Sequence, residues 1–328
     1  MAALPEFADI QILDLRHFSA RELRPVLEEE SRMWSARLRW DYRSSAELLL
    51  QYLDSRVLPG YVALHHGRVC GYVFCVYEGS KAVVGDVFVS PHVRLAEDPA
   101  AVEDILLEHL LETLTNSPGT ERIEAQLLPH KSGLHSDVFE RYGFRIFARL
   151  FLELDLTEPA TPIGPATGVT IHPWNEHDFA AAGPLISSAY AGHLDSLIND
   201  QYRTLAGSMR FLHNIVRFPG CGHFDEGASF IALDNRDGHA VGLILCSRVA
   251  ERVAHVTQLC VDQSSRRSGV ASSLLQACQA NLRKRGFQAL TLTVTEANEN
   301  AVALYLRFDF VERHRFDAMV WQRDSDSF

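Results

Sequence analysis

The chain has 328 residues, of which 47% are hydrophobic and 22% charged, and its formal net charge is -11. This length predicts two domains, and the composition is that of an ordinary globular protein. The acidic balance disfavours nucleic acids and anionic membrane surfaces as partners, and no apolar run is long enough to cross a bilayer.

Cysteine usage and the N-terminus indicate the compartment. The six cysteines are scattered without a CxxC pair, which favours buried reduced thiols over disulfides or a zinc site. The first residues lack the basic and apolar regions of a secretion signal. The predicted location is therefore cytoplasmic.

The first half alternates apolar runs of strand length with helical patterns. The predicted elements are strands over 60–65, 69–77, 82–89, 122–127 and 147–156, and helices over 101–114 and 136–142. Residues 158–168 are dense in proline and glycine and keep no apolar period, which predicts a linker between domains 1–157 and 169–328.

The second half repeats this outline, which predicts an internal repeat. Its predicted strands cover 169–172, 229–233, 241–249, 253–261, 289–294 and 310–321, and its predicted helices cover 175–190, 194–217, 271–285 and 300–308. The expected fold class is α/β (α+β).

The segment between predicted strand 253–261 and the helix after it has the features of a phosphate-binding loop. It is basic through Arg266 and Arg267, and Gly269 and Ala271 allow close approach of a ligand to the main chain. Main-chain N–H groups at a helix N-terminus attract a pyrophosphate. The alternative is a surface loop that caps a helix.

Two motifs together resemble the GNAT superfamily of acyl-CoA-dependent N-acetyltransferases. The family's phosphate signature is Arg or Gln, two residues, Gly, one residue, and Gly or Ala, and residues 266–271 match it fully. The second signature is matched by Asn298, Ala301, Leu304 and Tyr305. The Gly-Phe pair that usually follows is Asp309-Phe310 here, so one position departs. The resemblance covers about residues 169–322.

The resemblance implies two tandem GNAT-like domains, each with a mixed, mainly antiparallel central sheet flanked by helices. It implies acetyl-CoA as cosubstrate of the second domain, and an acetyl group moved by direct attack of a primary amine on a small molecule or peptide. The protein would be a monomer or homodimer. The residues implied in CoA binding are Leu259, Val261, Arg266, Arg267, Ser268, Gly269, Val270, Ala271, Ser272, Asn298 and Ala301.

Individual roles follow from the same resemblance. Leu259 and Val261 lie on a strand that in the family separates from its neighbour and bonds the pantetheine amides through its main chain. Asn298 either bonds the pantetheine arm or caps the following helix. Tyr305 is the expected proton donor to the leaving thiolate, because a phenol is protonated at neutral pH. Its alternative role is core packing.

The general base is less defined. His255 lies on the strand that borders the reaction centre and titrates in a useful range. Strand periodicity predicts that His255, Thr257 and Leu259 share one face, opposite Gln258 and Cys260. A core histidine is an equally good interpretation. Glu296 and a water chain are rival bases, and Cys260 offers a less favoured nucleophilic route.

The polar segment 190–202 lies where the family covers its acceptor. Its carboxylates, Asp195 and Asp200, suit a cationic amine, although a solvated helix face also explains them. One further group of possible ligands is too loosely spaced for a metal site, namely His213, His223, Asp225 and Glu226. No metal site is predicted.

The first half matches the second at an offset of 166 residues (309 minus 143), which aligns Gly143 with Asp309 and places Phe139 opposite Tyr305. Its loop over 91–99 has no glycine, carries acidic residues, and ends in Pro99, which has no N–H. We therefore expect a degenerate, non-catalytic copy that shapes the acceptor cleft.

Two other functions fit the sequence. One is a CoA-binding sensor or scaffold that has lost catalysis, which the missing base favours and Tyr305 opposes. The other is transfer from a different acyl donor, such as a longer acyl chain or an aminoacyl-tRNA. The acidic net charge disfavours the tRNA version.

Overall fold

The computed structural model describes residues 10–92, 98–160, 164, 166–217 and 222–323. The strands are β1 (Ile10–Asp14), β2 (Gly60–His65), β3 (Arg68–Glu78), β4 (Lys81–Val89), β5 (Arg122–Gln126), β6 (Arg145–Asp155), β7 (Val169–Pro173), β8 (His223–Phe224), β9 (Phe230–Asp234), β10 (Ala240–Ala250), β11 (Val253–Val261), β12 (Ala289–Thr295) and β13 (Val311–Gln322). The helices are α1 (Ala20–Leu38), α2 (Arg43–Asp54), α3 (Pro99–Asn116), α4 (Ser136–Arg141), α5 (Phe179–Ala189), α6 (Asp195–Ile198), α7 (Leu205–Arg217), α8 (Val270–Lys284) and α9 (Glu299–Arg307).

The chain divides into two packed units. The first unit comprises Met1–Ala148 with Phe316–Phe328, and the second comprises Arg149–Arg315. Strand β6 begins in the first unit and ends in the second, whereas β13 begins in the second and ends in the first. Packing therefore divides the chain at different residues from the predicted boundaries, 1–157 and 169–328, which follow the sequence repeat.

Strands β1 to β5 form the sheet of the first unit in chain order, and the end of β13 completes it. Residues Ala318 to Gln322 of β13 pair antiparallel with β5. Among the described strands of this unit, β4 and β5 are the only parallel pair, and the helix between them, α3, buries an apolar face against the sheet.

The second unit has the strand order β6-β12-β11-β10-β9-β7, with β8 paired to β10. β11 and β12 are the only parallel pair among the strands that the structure describes in this unit. Helix α8 packs on one face of this sheet and helices α5 and α7 on the other. The predicted apolar face of α8 is buried, as the helical spacing of Leu274, Leu275, Cys278 and Leu282 predicts.

The predicted class, mixed and mainly antiparallel sheets flanked by helices, is confirmed. Every predicted strand and helix is present with shifted ends, except that 194–217 forms two helices, α6 and α7. Within the described ranges, no helix combines the length and apolarity needed to cross a bilayer. Five cysteines are buried and unpaired, namely Cys70, Cys75, Cys246, Cys260 and Cys278, while Cys221 lies outside the described residues.

Equivalent positions in the two halves have the same local geometry. The rings of Phe139 and Phe144 meet edge to face at 5.1 Å, and those of Tyr305 and Phe310 do so at 5.7 Å. Gly143 has φ +78°, and its counterpart Asp309 keeps this left-handed conformation with φ +63°. The departure from the Gly-Phe motif therefore leaves the turn intact, since Asp tolerates this region better than most residues.

Candidate active site

Strands β11 and β12 separate after a short paired stretch. Val253 to Val256 pair with Ala289 to Leu292, whereas β11 continues to Val261 and β12 to Thr295. Over 257–261 the main chain of β11 therefore has one edge open, and an extended ligand can bond to such an edge as an added strand. Leu259 and Val261 lie on this segment, with side chains partly buried in the core under α8.

A β-bulge changes the direction of the side chains on β11. The pairing with β10 shifts between Val256 and Gln258, so Thr257 is the extra residue. Val256 and Leu259 both pack in the core under α8, whereas Cys260 packs with α5 and α7. The prediction that His255 shares a face with Leu259 is therefore wrong, because simple alternation fails at a bulge.

The predicted phosphate loop is fastened to the end of α5. The Gln263 side chain donates to the carbonyls of Ser188 and Ala191 at 3.3 and 3.2 Å, and Arg266 Nη2 donates to the carbonyl of Ala189 at 2.6 Å. The main-chain N–H of Arg266 also turns inward and donates to Gln263. Both groups of Arg266 therefore hold the loop in place.

The second part of the loop is arranged for an anion. Arg267 and Gly269 both have left-handed backbones, with φ +61° and +88°. Gly269 precedes α8, and no side chain among the described residues forms a capping hydrogen bond at this helix. Its first turn contains Val270, Ala271 and Ser272. An uncapped helix N-terminus beside such a turn concentrates N–H groups and positive potential, as an anion site requires.

The side chains around this turn differ in their partners. Arg267 is exposed and, within the described part of the chain, has no hydrogen-bond or ion-pair partner. The hydroxyl of Ser268 donates to the Ser265 carbonyl at 2.5 Å, and that of Ser272 accepts from Arg307 at 3.4 Å. Arg267 is therefore the cation of this loop that remains available to a ligand.

Asn298 forms the predicted helix cap. Its Oδ1 accepts from the N–H of Ala301 at 3.3 Å, and α9 begins at the next residue, Glu299. Ala301 packs partly against the core under α8. Of the two roles predicted for Asn298, capping is the one its contacts support.

Tyr305 lies on α9 with its ring buried in the core of the second unit. Burial raises the pKa of its phenol, and the negative charge of Asp195 raises it further. The hydroxyl has no hydrogen-bond partner among the residues that the structure describes. Tyr305 is therefore a protonated donor at neutral pH with a proton to give.

Asp195, the first residue of α6, is fixed beside the gap between the strands. Its Oδ1 accepts from Thr295 Oγ1 at 2.5 Å, and its Oδ2 lies 3.5 Å from His193 Nδ1. Thr295 is the last residue of β12, so the carboxylate is held where this strand ends. In the sequence only the charge of Asp195 indicates this role, and its partner Thr295 carries no recognisable signal.

A tyrosine and a glutamine lie beside Asp195. Tyr190 stacks on Tyr202 at 4.1 Å and its hydroxyl donates to Gln258 Oε1 at 3.3 Å. Burial raises the pKa of Tyr190, and Tyr202, Asp195 and Tyr305 are close enough to raise it further. Gln258 is 4% exposed, and its Nε2 has no hydrogen-bond partner among the described residues. A buried amide donor without a partner is costly unless a ligand accepts from it.

His255 has the environment of a core histidine. It is buried, its ring stacks on Phe151 at 5.9 Å, and its Nδ1 lies 2.9 Å from Thr291 Oγ1. Burial lowers the pKa of His255 to about 3, and the charge of Arg149 acts in the same direction. These contacts are those of a core histidine, which favours the alternative interpretation.

The other candidate groups are occupied or inert. Glu296 pairs with Arg315 at 3.0 Å on the surface. Burial raises the pKa of the Cys260 thiol to about 12, so it is not a thiolate at neutral pH.

An open cleft of about 620 Å³ lies at the C-terminal end of α8. Its lining includes Asp225 and Arg285, which form a two-pronged ion pair at 2.6 and 2.7 Å. Helix α8 has 15 residues and is therefore about 22 Å long, which separates this cleft from Gly269. The ion pair also explains Asp225 without a metal.

Comparison with known proteins agrees with this geometry. The profile of the Acetyltransferase (GNAT) family matches residues 196–310. Mycothiol acetyltransferase of Acidimicrobium ferrooxidans is 27% identical over 282 residues, which are 82% of this chain and 84% of that protein.

Solved structures show the same fold at low identity. A GCN5-related N-acetyltransferase from Sphaerobacter thermophilus superposes with a TM-score of 0.69 at 16% identity, over 98% of this chain and 97% of its own. A tandem GNAT protein from the clavulanic acid biosynthesis pathway has a TM-score of 0.57 at 15% identity, over 97% of this chain and 100% of its own. The chain therefore contains, over residues 196–310, a domain of the GNAT acetyltransferase family.

Proposed function

We propose that this protein transfers an acetyl group from acetyl-CoA to a primary amine, with the second unit as the catalytic part. The observation that carries the proposal is the gap between β11 and β12, beside which Asp195 and Tyr305 lie. A GNAT domain is an acyltransferase domain, and this family uses acetyl-CoA. The amine, the mechanism and the residues below are the proposed part.

The fit to CoA rests on two features. The turn at Arg267 and Gly269 with the uncapped N-terminus of α8 suits a pyrophosphate. The open edge of β11 around Leu259 and Val261 suits the amides of a pantetheine arm. A chain entering between β11 and β12 from this loop passes toward the end of β12, where Thr295 holds Asp195.

The proposed chemistry assigns one proton to each group. Asp195 binds the ammonium form of the acceptor and takes up its proton, which leaves a nucleophilic amine. The amine nitrogen forms the amide bond with the acetyl carbon, the thioester C–S bond breaks, and the nitrogen releases its second proton to water. Tyr305 donates its proton to the departing thiolate, and the proton held by Asp195 restores the phenol. The products are the amide and CoA thiol.

The substrate that accepts the acetyl group is a cation, and it carries an oxygen or nitrogen near its amine that can accept a hydrogen bond. Asp195 supplies the negative charge, and Gln258 Nε2 supplies the buried donor without a partner. Tyr190 holds the opposite end of the Gln258 amide, so the donor has a fixed direction. The likeness to mycothiol acetyltransferase places the acceptor of that enzyme among the compounds to be tested.

We propose that the first half, 1–157, is a degenerate copy without catalysis. Phe139 stands where Tyr305 would be, so the hydroxyl is missing. Asp98 caps α3 by accepting from Ala100 N at 3.0 Å, so a carboxylate already occupies this helix N-terminus. In the second half, no carboxylate of the described residues forms such a cap at α8. Residues 93–97 of the predicted loop lie outside the described residues.

The test measures thiol release from acetyl-CoA over a panel of amines, together with calorimetric CoA binding and mass spectrometry of the products. We expect one CoA per chain and an acetylated amine among the products. Binding without turnover on any amine would favour the sensor, and turnover only with other acyl-CoA donors would favour the alternative donor. Absence of CoA binding would overturn the proposal.

A further inference from the structure

The first unit contains a buried cluster of histidines and carboxylates that the acetyltransferase chemistry does not use. Strands β4 and β5 pair only from Lys81 to Val84, so β4 separates from β5 in the way that β11 separates from β12. Glu103, His130 and His135 form the cluster and are 4–6% exposed. Asp86, on the separated part of β4, lies beside them.

Three side-chain atoms of this cluster converge on one point. His135 Nε2 lies 3.4 Å from His130 Nδ1 and 3.3 Å from Glu103 Oε2, and His130 Nδ1 lies 3.7 Å from the same oxygen. In a tetrahedral zinc site with bonds of about 2.0–2.1 Å, neighbouring ligand atoms are about 3.3–3.4 Å apart. The observed triangle has nearly these dimensions before any adjustment.

The outer atoms of the three ligands are already held. His135 Nδ1 lies 2.7 Å from the Asp104 carboxylate, and His130 Nε2 lies 2.9 Å from the carbonyl of Val87. Since carboxylates and carbonyls accept hydrogen bonds, these contacts direct the opposite ring nitrogens toward the cluster. Glu103 Oε1 accepts from Val89 N at 3.2 Å, which leaves Oε2 for the histidines. Such outer bonds orient the ligands of protein metal sites.

The segment that carries both histidines is also fixed. Asp317 accepts hydrogen bonds from Ser132 Oγ at 2.6 Å, Gly133 N at 2.8 Å and Ser136 Oγ at 3.1 Å. The histidines are separated by four residues, a spacing found in zinc sites. The sequence alone does not indicate this pair as ligands because the third ligand, Glu103, lies on a different element, α3.

A second observation points to a cation. Asp86 is 2% exposed, and its Oδ2 has no hydrogen-bond partner among the described residues. Its Oδ1 lies 3.5 Å from His130 Nε2. A buried carboxylate is stable when it is hydrogen-bonded, paired or near a cation. Asp86 Oδ1 accepts from Val87 N at 2.9 Å, and burial together with the charge of Asp86 raises the pKa of neighbouring Glu30, so a cation here would offset a surplus of buried carboxyl groups.

We propose that Glu103, His130 and His135 form a structural zinc site in the first unit. The ligand set suits Zn²⁺, and three protein ligands leave the fourth tetrahedral position to a water. Burial of all three residues leaves a substrate no access to that position, so the proposed role is structural. The metal ties α3 to the segment that precedes α4. This inference does not depend on the proposed acetyltransferase function.

The rival occupant of the cluster is a proton. Burial disfavours a charged His135, but its hydrogen bonds to Asp104 and Glu103 outweigh this and raise the pKa of His135 to about 9 in the metal-free protein. A protonated His135 would donate to Glu103 and hold the cluster together without metal. Metal analysis distinguishes the two.

The experiment uses full-length, tag-free protein. The protein is stripped with a chelator, supplied with Zn²⁺ or Co²⁺, and desalted, and its metal content is then measured by mass spectrometry. We expect about one zinc per chain and the visible spectrum of tetrahedral Co²⁺. Glu103→Gln should bind zinc at least about tenfold more weakly. Glu112→Gln, an exposed glutamate on the same helix, is the matched control and should bind like the wild type.

Thermal unfolding gives an independent readout. Zinc should raise the Tm of the wild type and of Glu112→Gln, but not that of Glu103→Gln, because only a ligand bound to the folded state stabilises it. If Glu103→Gln does not fold, the metal content and Co²⁺ spectrum of the wild type decide. A wild type that retains no zinc, or zinc that Glu103→Gln retains equally, would overturn the proposal in favour of the proton.

Discussion

The Asp195 carboxylate lies near enough to the Tyr305 phenol for its charge to add to the effect of burial on the phenol's pKa. The two residues come from different helices, α6 and α9, which are separated by most of the second unit's sequence. This proximity pairs a proton acceptor with a proton donor beside the gap between β11 and β12. It is the relationship on which the proposed mechanism depends.

Tyr305→Phe removes the donor while keeping the ring that packs on Phe310. We expect kcat to fall about 10–1000-fold, a range typical of lost proton transfer, with CoA affinity nearly unchanged. Steady-state kinetics and calorimetry measure the two quantities. Tyr52→Phe, an exposed tyrosine of the first unit, serves as the control. Full activity in Tyr305→Phe would remove this residue from the mechanism.

Asp195→Asn keeps the shape of the side chain and removes its charge. We expect kcat/KM for the amine to fall about 100-fold, because both ammonium binding and proton uptake are lost. The KM for acetyl-CoA should change little. Asp237→Asn, in the exposed turn after β9, is the matched control for an acidic residue outside the site. Equal kinetics in both variants would show that Asp195 has no part in catalysis.

Gln258→Leu removes the buried amide donor that lacks a partner. If Nε2 binds the acceptor, KM for the amine should rise about tenfold, the cost of one hydrogen bond in a buried site. The KM for acetyl-CoA should not change, and a melting curve establishes that the variant is folded. A variant with wild-type KM for every amine would show that the acceptor does not reach Gln258.

Local patterns predict the fold class, which the structure confirms. The spacing from Arg266 to Ala271 also predicts a loop that opens a helix, and these residues lead from β11 into α8, while their role in binding phosphate stays a prediction. The bulge at Thr257 has no recognisable pattern in the sequence. Simple strand alternation therefore predicts the wrong face for His255 relative to Leu259. The pairings of β13 with β5 and of β6 with β12 join strands that are distant in sequence, and strand periodicity does not contain such information.

The sequence does not predict the tertiary partners of charged residues, for the same reason. Arg266 matches the family's signature, yet its guanidinium is directed to the end of α5 by a fold that sequence spacing does not describe. Asp195 acquires its role only where Thr295 meets it across 100 residues. Residue type therefore indicated the chemistry, while tertiary contacts decided which residues are available for it.

Gly269→Glu should abolish CoA binding by placing a carboxylate and a side chain at the proposed pyrophosphate site. A backbone with φ +88° also strains any other residue by about 1–2 kcal/mol, so charge and strain must be separated. Gly269→Ala carries the strain alone, since its Cβ would lie no closer than 3.6 Å to Ala166. It should weaken CoA binding much less. Calorimetry with CoA measures both variants.

The matched control lies just past the other end of α8. Gly286 has φ +78° with open space around it, so Gly286→Glu introduces the same charge and similar strain away from the loop. We expect it to bind CoA like the wild type. Wild-type affinity in Gly269→Glu would refute the assignment of the loop.

His255→Asn tests whether this histidine is a base or a core residue. In the folded protein the pKa of His255 is about 3, whereas an unfolded histidine titrates near 6.5. Between these values the unfolded chain binds the additional proton, so the free energy of unfolding falls as pH falls below about 6.5, by up to about 1.4 kcal/mol per pH unit. The asparagine amide can still bond Thr291 but does not titrate, so urea midpoints should depend less on pH between 7 and 5. Turnover should stay within about threefold of the wild type, because the buried ring lies outside the proposed proton path. A loss of about 100-fold or more, which is typical of losing a general base, would instead establish His255 as the base.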